Sequence, residues 1–528
     1  MMSKQETILL GFFLALLFLC VAMGGFLLFR QWSSLDSSID YSNTLVAILT
    51  QESAKDDVAT RVALELAKLT PQPVQGGETP VLVEETREPT LIVSPLEGYQ
   101  RYLTQQGDTL KAIEKRFQTQ KEKIISYSTY QEEGILPIGT LLWIPENNVS
   151  PDSMIRLLPD SAIVNGPLDA GFDLAGFVNG ADGFLKGYQE EVRGEWMTGV
   201  EIVERVSLEH SISPKLLLTV LEFQSGWVLS NDSRMQYDDF PIGYGLDCCK
   251  GLYEELYIVA RQLGLGYYGW RDGSAITVKF SNGEILALDP TLNAGTAALA
   301  KLMSTLYTPE TWQVVMSEES GITVLYRQMY GNLWLDIEQL PPLLPDELMQ
   351  PEMELPFLRG EDYHLTSGPH KAWGIGSPWA AIDFAPADMI KGCTVSPYWV
   401  TASANGMVVR AENGVVVIDL DQDGFEQTGW VLFYLHVSSK DRVSVGTVVE
   451  VDDKIGHASC EGGHATGSHV HLARKYNGEW VLADEPLPMI LSGWIVHADR
   501  GEYGGYLQKE NQFIFAYPYS IADSLVER

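Results

Sequence analysis

The stretch Ser468-His469-Val470-His471 places two histidines two positions apart in a segment that predicts a β-strand. Alternate side chains of a strand point to the same face, so both imidazoles are expected to reach one small site. Eight of the nine histidines of the chain lie between His364 and His497, which concentrates metal-binding side chains in the last third of the sequence. The pattern therefore predicts a metal site in that region.

Three upstream segments carry further candidates: His370 in Gly-Pro-His, Asp383 in Ala-Ile-Asp-Phe, and His436 in Tyr-Leu-His. Neutral imidazole nitrogen and carboxylate oxygen are the ligands of a catalytic zinc that keeps one position open for water. The surrounding sequence consists of short apolar segments separated by turns, which is typical of β-structure. We expect strands at Val400–Ala404, Gly406–Val409, Gly414–Leu420, Trp430–His436 and Gly446–Val449.

These residues resemble the lysostaphin-type (LytM-like) zinc endopeptidases, which cut peptide bridges in peptidoglycan. The common pattern of that family, His-x-x-x-Asp, is absent because Trp379 stands four residues before Asp383. The beta-lytic branch instead has its histidine thirteen residues before the aspartate, where this chain has His370. The resemblance implies three zinc ligands, His370, Asp383 and His471, and two catalytic imidazoles beside the metal, His436 and His469.

Four cysteines follow the N-terminal region, and their spacing matches no CxxC metal pattern. Cys393 and Cys460 flank the core of the histidine-rich domain, and we predict that they form a disulfide outside the membrane. Two buried thiols are the alternative. The adjacent Cys248 and Cys249 indicate nothing specific.

For several other residues of this domain, a structural role is a better interpretation than a role in metal or substrate binding, or an equally good one. A lone histidine is more often a core or surface residue than a ligand, which we expect for His364, His457, His464 and His497. Asp419, Asp421 and Asp423 imitate the start of a calcium loop, but the twelfth position is Trp430, so an acidic hairpin turn is favoured. Core packing is at least as good an interpretation as a substrate groove for Trp373, Trp379 and Tyr434.

Residues 98–147 form a compact pattern that begins with the turn Gln106-Gly107-Asp108-Thr109-Leu110. Asp108 or Thr109 is the expected N-cap of a helix, a second helix is expected near Ile124, and a strand at Leu141–Pro145. The segment resembles a LysM module, which implies a βααβ fold and binding to glycans with N-acetylglucosamine, such as peptidoglycan. A spacer that binds nothing is the alternative.

Residues 148–345 predict a mostly helical domain. The segment Val203–Trp227 resembles the first catalytic helix of lysozyme-like lytic transglycosylases, and Asn293–Leu299 resembles a later helix of that fold. Gln224 stands where that family has its catalytic glutamate, and an amide does not donate a proton as a carboxylic acid does. Glu222 is expected to face elsewhere. We therefore predict a lysozyme-like fold without glycosidase activity.

The segment Ile8–Phe29 is an uncharged apolar run of 22 residues, long enough as a helix to cross a bilayer. It predicts a signal anchor that holds the chain in the cell membrane by a single pass, with a cleaved signal sequence as the alternative. The flanking charges, Lys4 and Arg30, do not fix the orientation. A linker rich in proline, glycine and acidic residues follows.

The net charge of −34 argues against a nucleic-acid partner. The prediction is a multidomain α+β protein whose extracytoplasmic domains face the cell wall: a transmembrane signal anchor at 1–30, a linker at 31–97, a LysM module at 98–147, a lysozyme-like helical domain with its leading segment at 148–345, and a zinc endopeptidase at 346–528. The predicted function is hydrolysis of peptide cross-links in peptidoglycan. A non-catalytic, wall-binding regulator of another hydrolase and a released protease are the alternatives.

Overall fold

The computed structural model describes residues 96–130, 132–146, 155–230, 239–334, 340–387, 392–518 and 522–528. The predicted membrane anchor lies outside these residues, as does the linker up to residue 95. Among the described residues, no helix combines the length and apolar character needed to cross a membrane. Apart from residues 281–283, all of them belong to one compact unit.

The LysM-like module is a three-stranded antiparallel sheet with order β1-β3-β2 and one helix packed against it. Its elements are β1 (Tyr99–Leu103), α1 (Leu110–Arg116), β2 (Ile125–Ser126) and β3 (Leu141–Pro145). Thr109 caps α1 by accepting a hydrogen bond from the backbone N–H of Ala112 at 3.2 Å, as one of the two predicted caps. The second helix expected near Ile124 is a single 3₁₀ turn at Lys121–Lys123. The β-branched side chains of Ile124 and Ile125 favour the extended chain that follows.

The helical domain is built around its longest helix, α5 (Leu252–Arg271), which packs against α3 (Gly199–His210) and α6 (Ala294–Leu306). Thr198 and Glu201 form a capping box at the start of α3, and Pro214 occupies the first turn of α4. The elements are α2 (Leu174–Gly180), β4 (Gln189–Val192), β5 (Glu195–Thr198), α3 (Gly199–His210), α4 (Pro214–Ser225), α5 (Leu252–Arg271), β6 (Thr277–Lys279), β7 (Ile285–Ala287), α6 (Ala294–Leu306), α7 (Pro309–Val315) and α8 (Ile322–Tyr330), with 3₁₀ turns at Asp160–Ala162 and Phe184–Gly187.

The C-terminal domain is an antiparallel β-structure, as its alternating segments predict. Its main sheet has the order β14-β11-β12-β13-β16-β9-β8-β22, with β17 paired to β16. The strands are β8 (Tyr363–His370), β9 (Ala381–Pro386), β10 (Trp399–Thr401), β11 (Gly406–Glu412), β12 (Val415–Asp419), β13 (Trp430–Leu435), β14 (Val448–Val449), β15 (Lys454–His457), β16 (Val470–Tyr476), β17 (Glu479–Trp480), β18 (Ile490–Leu491), β19 (Trp494–Ala498), β20 (Gly505–Lys509), β21 (Gln512–Phe515) and β22 (Leu525–Val526), with a 3₁₀ turn at Ala522–Ser524.

Both faces of this sheet are covered, and strand alternation divides its side chains between two cores. Leu432 and Tyr434 of β13 point into the larger core, which also holds residues of β8, β12 and β16. Val431 and Phe433 point to the opposite face, where a smaller core forms with Ala372. The smaller core is therefore the apolar floor beside any side chain that the sheet presents on that second face.

One arginine joins all three domains. The guanidinium of Arg271, at the end of α5, lies 3.1 Å from the carboxylate of Glu479 on β17 and 3.2 Å from that of Asp160. The same group donates to the backbone carbonyl of Gln106 in the LysM-like module. Tyr267 donates to Glu479 at 2.8 Å. This network of charged groups, named here the Arg271 junction, fixes the domains against one another.

Candidate metal centre

Three side chains from adjacent strands converge on the second face of the C-terminal sheet. Asp383 on β9 lies directly opposite His471 on β16, and His370 is the last residue of β8. Asp383 Oδ1 lies 3.3 Å from His370 Nε2 and 3.2 Å from His471 Nδ1. All three residues are buried, and one potential ligand atom of each lies within 4.8 Å of the others. The strand register thus assembles two nitrogens and one oxygen at a single point.

Backbone carbonyls fix the tautomers of the two imidazoles. His370 Nδ1 lies 2.9 Å from the carbonyl of Gly368, and His471 Nε2 lies 3.0 Å from the carbonyl of Ala372. A carbonyl oxygen only accepts hydrogen bonds, so each of these ring nitrogens carries the hydrogen. The opposite nitrogens, which face Asp383, therefore present lone pairs.

This arrangement is a site for a cation. His370 Nε2 and His471 Nδ1 are 3.0 Å apart, and with these tautomers no hydrogen lies between them. Among the described residues, Asp383 Oδ1 is buried without a hydrogen-bond partner. Burial opposes ionisation of Asp383, but the positive charge that His370 and His469 carry in their protonated forms outweighs it and holds the pKa of Asp383 well below the usual range. Three electron-pair donors facing one another without hydrogens fit a bound metal ion.

Two further imidazoles border the site. His436 follows β13 with a left-handed backbone at φ 65°, a conformation that non-glycine residues adopt at a cost. Its Nδ1 lies 2.9 Å from the carbonyl of Glu461, and His469 Nδ1 lies 2.7 Å from that of Gly467, so both rings keep a bare Nε2. The ring centroids are 4.5 Å apart. Burial, together with the neighbouring His469 and His471, lowers the pKa of His436 to about 3, so this ring is neutral at pH 7.

His469 reaches the site from just outside the strand. The strand β16 begins at Val470, but His469 pairs with Ser459 in an isolated bridge and keeps an extended conformation. His469 Nε2 therefore lies 3.6 Å from Asp383 Oδ2, on the same side as His471. The structure thus brings the five predicted side chains together.

The other four histidines of this domain make contacts elsewhere or are exposed. His364 contacts the hydroxyl of Ser524 at 3.0 Å, and His457 contacts the carbonyl of Tyr398 at 2.9 Å. His497 lies 3.8 Å from a carboxylate oxygen of Asp484. His464 is exposed.

Cys393 and Cys460 form a disulfide, with their Cα atoms 5.4 Å apart. Cys460 immediately precedes Glu461, whose carbonyl holds His436, and it follows Ser459, whose N–H donates to the His436 carbonyl at 2.7 Å. The bridge therefore ties the backbone that orients His436 to a second segment of the domain.

Three residues at the rim are not indicated by the sequence patterns. The ring of Tyr503 stacks on His370, with centroids 4.9 Å apart, and remains 56% exposed. Beside it, Glu502 forms an ion pair with Lys371. The sole signal in the sequence is an aromatic residue in a glycine-rich turn, Gly501-Glu502-Tyr503-Gly504-Gly505. Tyr503 offers an exposed hydroxyl next to the candidate metal ligands.

The loop between β8 and β9, residues 371–380, connects the site to the helical domain. This loop supplies the Ala372 carbonyl that holds His471, and α5 packs directly on it. A Cβ built on Gly264 of α5 would lie 2.4 Å from the carbonyl oxygen of Gly376. Tyr268, also on α5, accepts a hydrogen bond from the N–H of Trp480 at 3.1 Å. The helical domain therefore supports the backbone behind a candidate ligand.

In the helical domain, Gln224 is buried and accepts a hydrogen bond from the Tyr307 hydroxyl at 3.1 Å. Glu222 caps the end of α4 by accepting from the N–H groups of Val228 and Leu229, both at 2.9 Å. Its carboxylate is thus used in a local turn and is no substitute for an acid at position 224.

Comparison with known proteins assigns three segments. "LysM domain" matches residues 102–145, "LasA, N-terminal domain" matches residues 156–343, and "Peptidase family M23" matches residues 389–482. The second segment is the one for which a lysozyme-like fold is predicted, and that interpretation stays a prediction.

Curated relatives match part of the chain. Protease LasA of Pseudomonas aeruginosa is 29% identical over 303 residues, which cover 53% of this chain and 67% of the relative. Beta-lytic metalloendopeptidase of Lysobacter enzymogenes is 26% identical over 176 residues, 32% of this chain and 94% of the relative. Among solved structures, the M23 metalloprotease pseudoalterin is 21% identical with a TM-score of 0.27, covering 32% of this chain and 96% of that one. The chain thus contains a LysM domain and a peptidase domain of family M23, the lysostaphin-type family, as the resemblances of these two segments predicted.

Proposed function

We propose that this chain is a zinc-dependent endopeptidase that hydrolyses peptide cross-links of peptidoglycan, with the LysM domain binding the glycan. The observation that carries the proposal is the convergence of His370, Asp383 and His471 with lone pairs facing one another. Two nitrogens and one oxygen leave a fourth tetrahedral position open, which is the ligand set of a catalytic rather than a structural zinc. The predicted single-pass anchor in the cell membrane remains part of the proposal.

In the proposed mechanism the metal supplies Lewis acidity, and protein side chains transfer protons. Zinc, when bound, supplies Lewis acidity that makes water acidic near neutral pH and polarises the scissile carbonyl. His436 and His469, each with an unprotonated Nε2, carry out the proton transfers. One of them accepts the proton of the attacking water. The other, in its protonated form, stabilises the developing oxyanion or protonates the leaving amine. Tyr503 can hydrogen-bond the substrate through its exposed hydroxyl.

A non-catalytic regulator that binds the wall is the second candidate. It is disfavoured because all five side chains of the site are present and its four imidazoles are oriented by backbone carbonyls. Two imidazoles with unprotonated nitrogens beside a cation site are suited to proton transfer, which a protein that only binds the wall does not need.

Chelation separates these functions. The zinc-loaded full chain, in detergent, is incubated with purified peptidoglycan with and without a zinc chelator, and the products are identified by mass spectrometry. We expect new peptide termini and intact glycan strands, both lost with chelator and restored by added zinc but not by magnesium. Cut glycan would instead assign glycosidase activity to the Gln224 domain. A folded, zinc-loaded chain that releases nothing would favour the regulator.

The contact between α5 and the 371–380 loop predicts that the helical domain affects metal affinity. Gly264→Ala introduces a methyl group against the Gly376 carbonyl and displaces the loop that holds His471 through Ala372. We expect zinc affinity to fall roughly tenfold, the lower end for loss of an orienting contact. Competition with a chromophoric chelator measures it.

The matched control is Gly180→Ala at the end of α2, where a Cβ would meet nothing within 4 Å. Alanine raises the helix propensity at position 264, so weaker zinc binding would not reflect a weaker helix. An unchanged zinc dissociation constant for Gly264→Ala would show that the loop adapts and that α5 does not position the ligand.

A further inference from the structure

A cleft of about 670 Å³ separates the helical domain from the peptidase domain. One wall is formed by β5 and α3 of the helical domain, and the other by β11, β12 and neighbouring loops of the peptidase domain. The lining residues that matter here are Trp196, Glu204, Trp373, Glu412, Asn413 and Gly462. This space, named the interdomain cleft, lies outside the metal centre described above.

One end of the interdomain cleft adjoins the metal centre. Gly462 lines the cleft, and a Cβ built on the next residue, Gly463, would lie 3.2 Å from Cε1 of His436. Trp373 also lines it and packs on Phe433 at 6.1 Å between ring centroids, while Phe433 lies 6.4 Å from the His471 ring. A peptide that leaves the metal centre on this side enters the cleft.

The cleft follows β11: four consecutive residues of this strand, Val409 to Glu412, line it, as does Asn413 in the turn that follows. At ~3.3 Å per residue these four residues of β11 span about 13 Å, so an extended peptide of similar length fits alongside. Trp196, 72% exposed, and Trp373 supply aromatic surface for such a peptide.

The net negative charge of the cleft favours a positively charged peptide. Six glutamates and two arginines line it, so the walls carry net negative charge. Both arginines are already paired: Arg205 lies 3.0 Å from Glu209, and Arg410 lies 2.9 Å from Glu426. No arginine remains to neutralise an additional carboxylate.

Of the four glutamates left without an arginine, two lie on opposite walls and act on each other electrostatically. Within the described ranges, Glu204 of α3 and Glu412 of β11 form no ion pair with a lysine or arginine, and both are exposed to solvent. The walls of the cleft displace part of the hydration of Glu204 and raise its pKa, and the neighbouring carboxylates of Glu412 and Glu201 raise it further. Like charges that face each other across a cleft are relieved by a cation between them.

We propose that the interdomain cleft binds the part of the substrate peptide that carries a primary ammonium group, with Glu204 and Glu412 as its acceptors. The inference rests on the proposed peptidase function and adds to it a substrate class. It also gives the helical domain a direct part in substrate choice, because Glu204 and Trp196 belong to that domain. The aromatic rings add cation–π attraction to the same group.

The test compares two synthetic wall peptides that differ only at one amine: a lysine-containing cross-link peptide with its side-chain amine free or acetylated. The zinc-loaded full chain is assayed as wild type, as Glu204→Gln/Glu412→Gln, and as Glu347→Gln, an exposed control with the same change per site. We expect the wild type and the control to prefer the free amine about fivefold in kcat/KM, as two partly screened ion pairs would give. The double variant should show equal rates, with its rate on the acetylated peptide unchanged.

A double variant that loses activity on both peptides equally, or that keeps the preference, overturns the proposal. Calorimetry with the zinc-free chain separates this inference from the proposed function. If the wild type cleaves neither peptide, the peptidase proposal fails, and the cleft is judged by whether free-amine binding is stronger and falls to the acetylated level in the double variant. The preference should also shrink in high salt, because the carboxylates are exposed.

Discussion

His436→Ala is expected to lower kcat/KM for peptidoglycan cleavage by roughly 10³-fold, within the range for loss of a general acid or base, while the zinc content stays near that of the wild type. The imidazole lies beside the metal centre with a bare Nε2, and its ring is oriented by the Glu461 carbonyl. It is not among the three converging ligand residues. Removing it therefore takes away proton transfer and leaves the cation site intact.

The measurement pairs turnover with metal analysis on the same preparation. His464→Ala is the matched control, because it removes an exposed histidine from the loop that precedes the His469–His471 pair. This control should keep full activity. Retained turnover in His436→Ala would remove that residue from the mechanism, and loss of zinc from it would make it a ligand instead.

His370→Ala should abolish activity through the opposite route, by loss of the metal. Apparent binding free energies of protein zinc sites are about 10–16 kcal/mol, so one ligand of three or four accounts for ~3 kcal/mol, or roughly 100-fold in affinity. The substitution also leaves the buried Asp383 without one of the two imidazoles next to its Oδ1. Both effects lower zinc occupancy.

Zinc occupancy after dialysis against a weak chelator measures this. Replacing His457, which is buried and bonded to the Tyr398 carbonyl, should leave occupancy unchanged and so controls for general damage to the fold. If His370→Ala retains full occupancy, the spacing of thirteen residues before Asp383 is the wrong alignment. Trp379, four residues before the aspartate, has no metal-binding atom to replace it.

Much of the site could be predicted because its side chains carry distinctive chemistry at fixed spacings. Strand alternation places His469 and His471 on one side, and the resemblance to the beta-lytic branch supplies His370 and Asp383. The expected strands around Trp430 and Gly406 also form, since their β-branched and aromatic residues favour a pleated sheet.

The groups that orient the site could not be predicted in the same way. The carbonyls of Gly368, Ala372 and Glu461 fix the imidazole tautomers, and every residue has a carbonyl, so the sequence carries no signal for them. Tyr503 reaches His370 through a turn whose position depends on tertiary packing. The contact of α5 with the 371–380 loop likewise depends on how two domains dock.

The Arg271 junction determines what proteolysis between the domains would release. Separating the peptidase domain from the helical domain would break the buried ion pair of Arg271 with Glu479, whereas Arg271 and Asp160 belong to the same domain and would stay paired. A protease that nicks the connector between the two larger domains would cut the polypeptide without freeing a diffusible fragment. The nicked halves would stay together, and on the proposed function and anchor, cleavage of the wall would remain confined to the place where the first half is held.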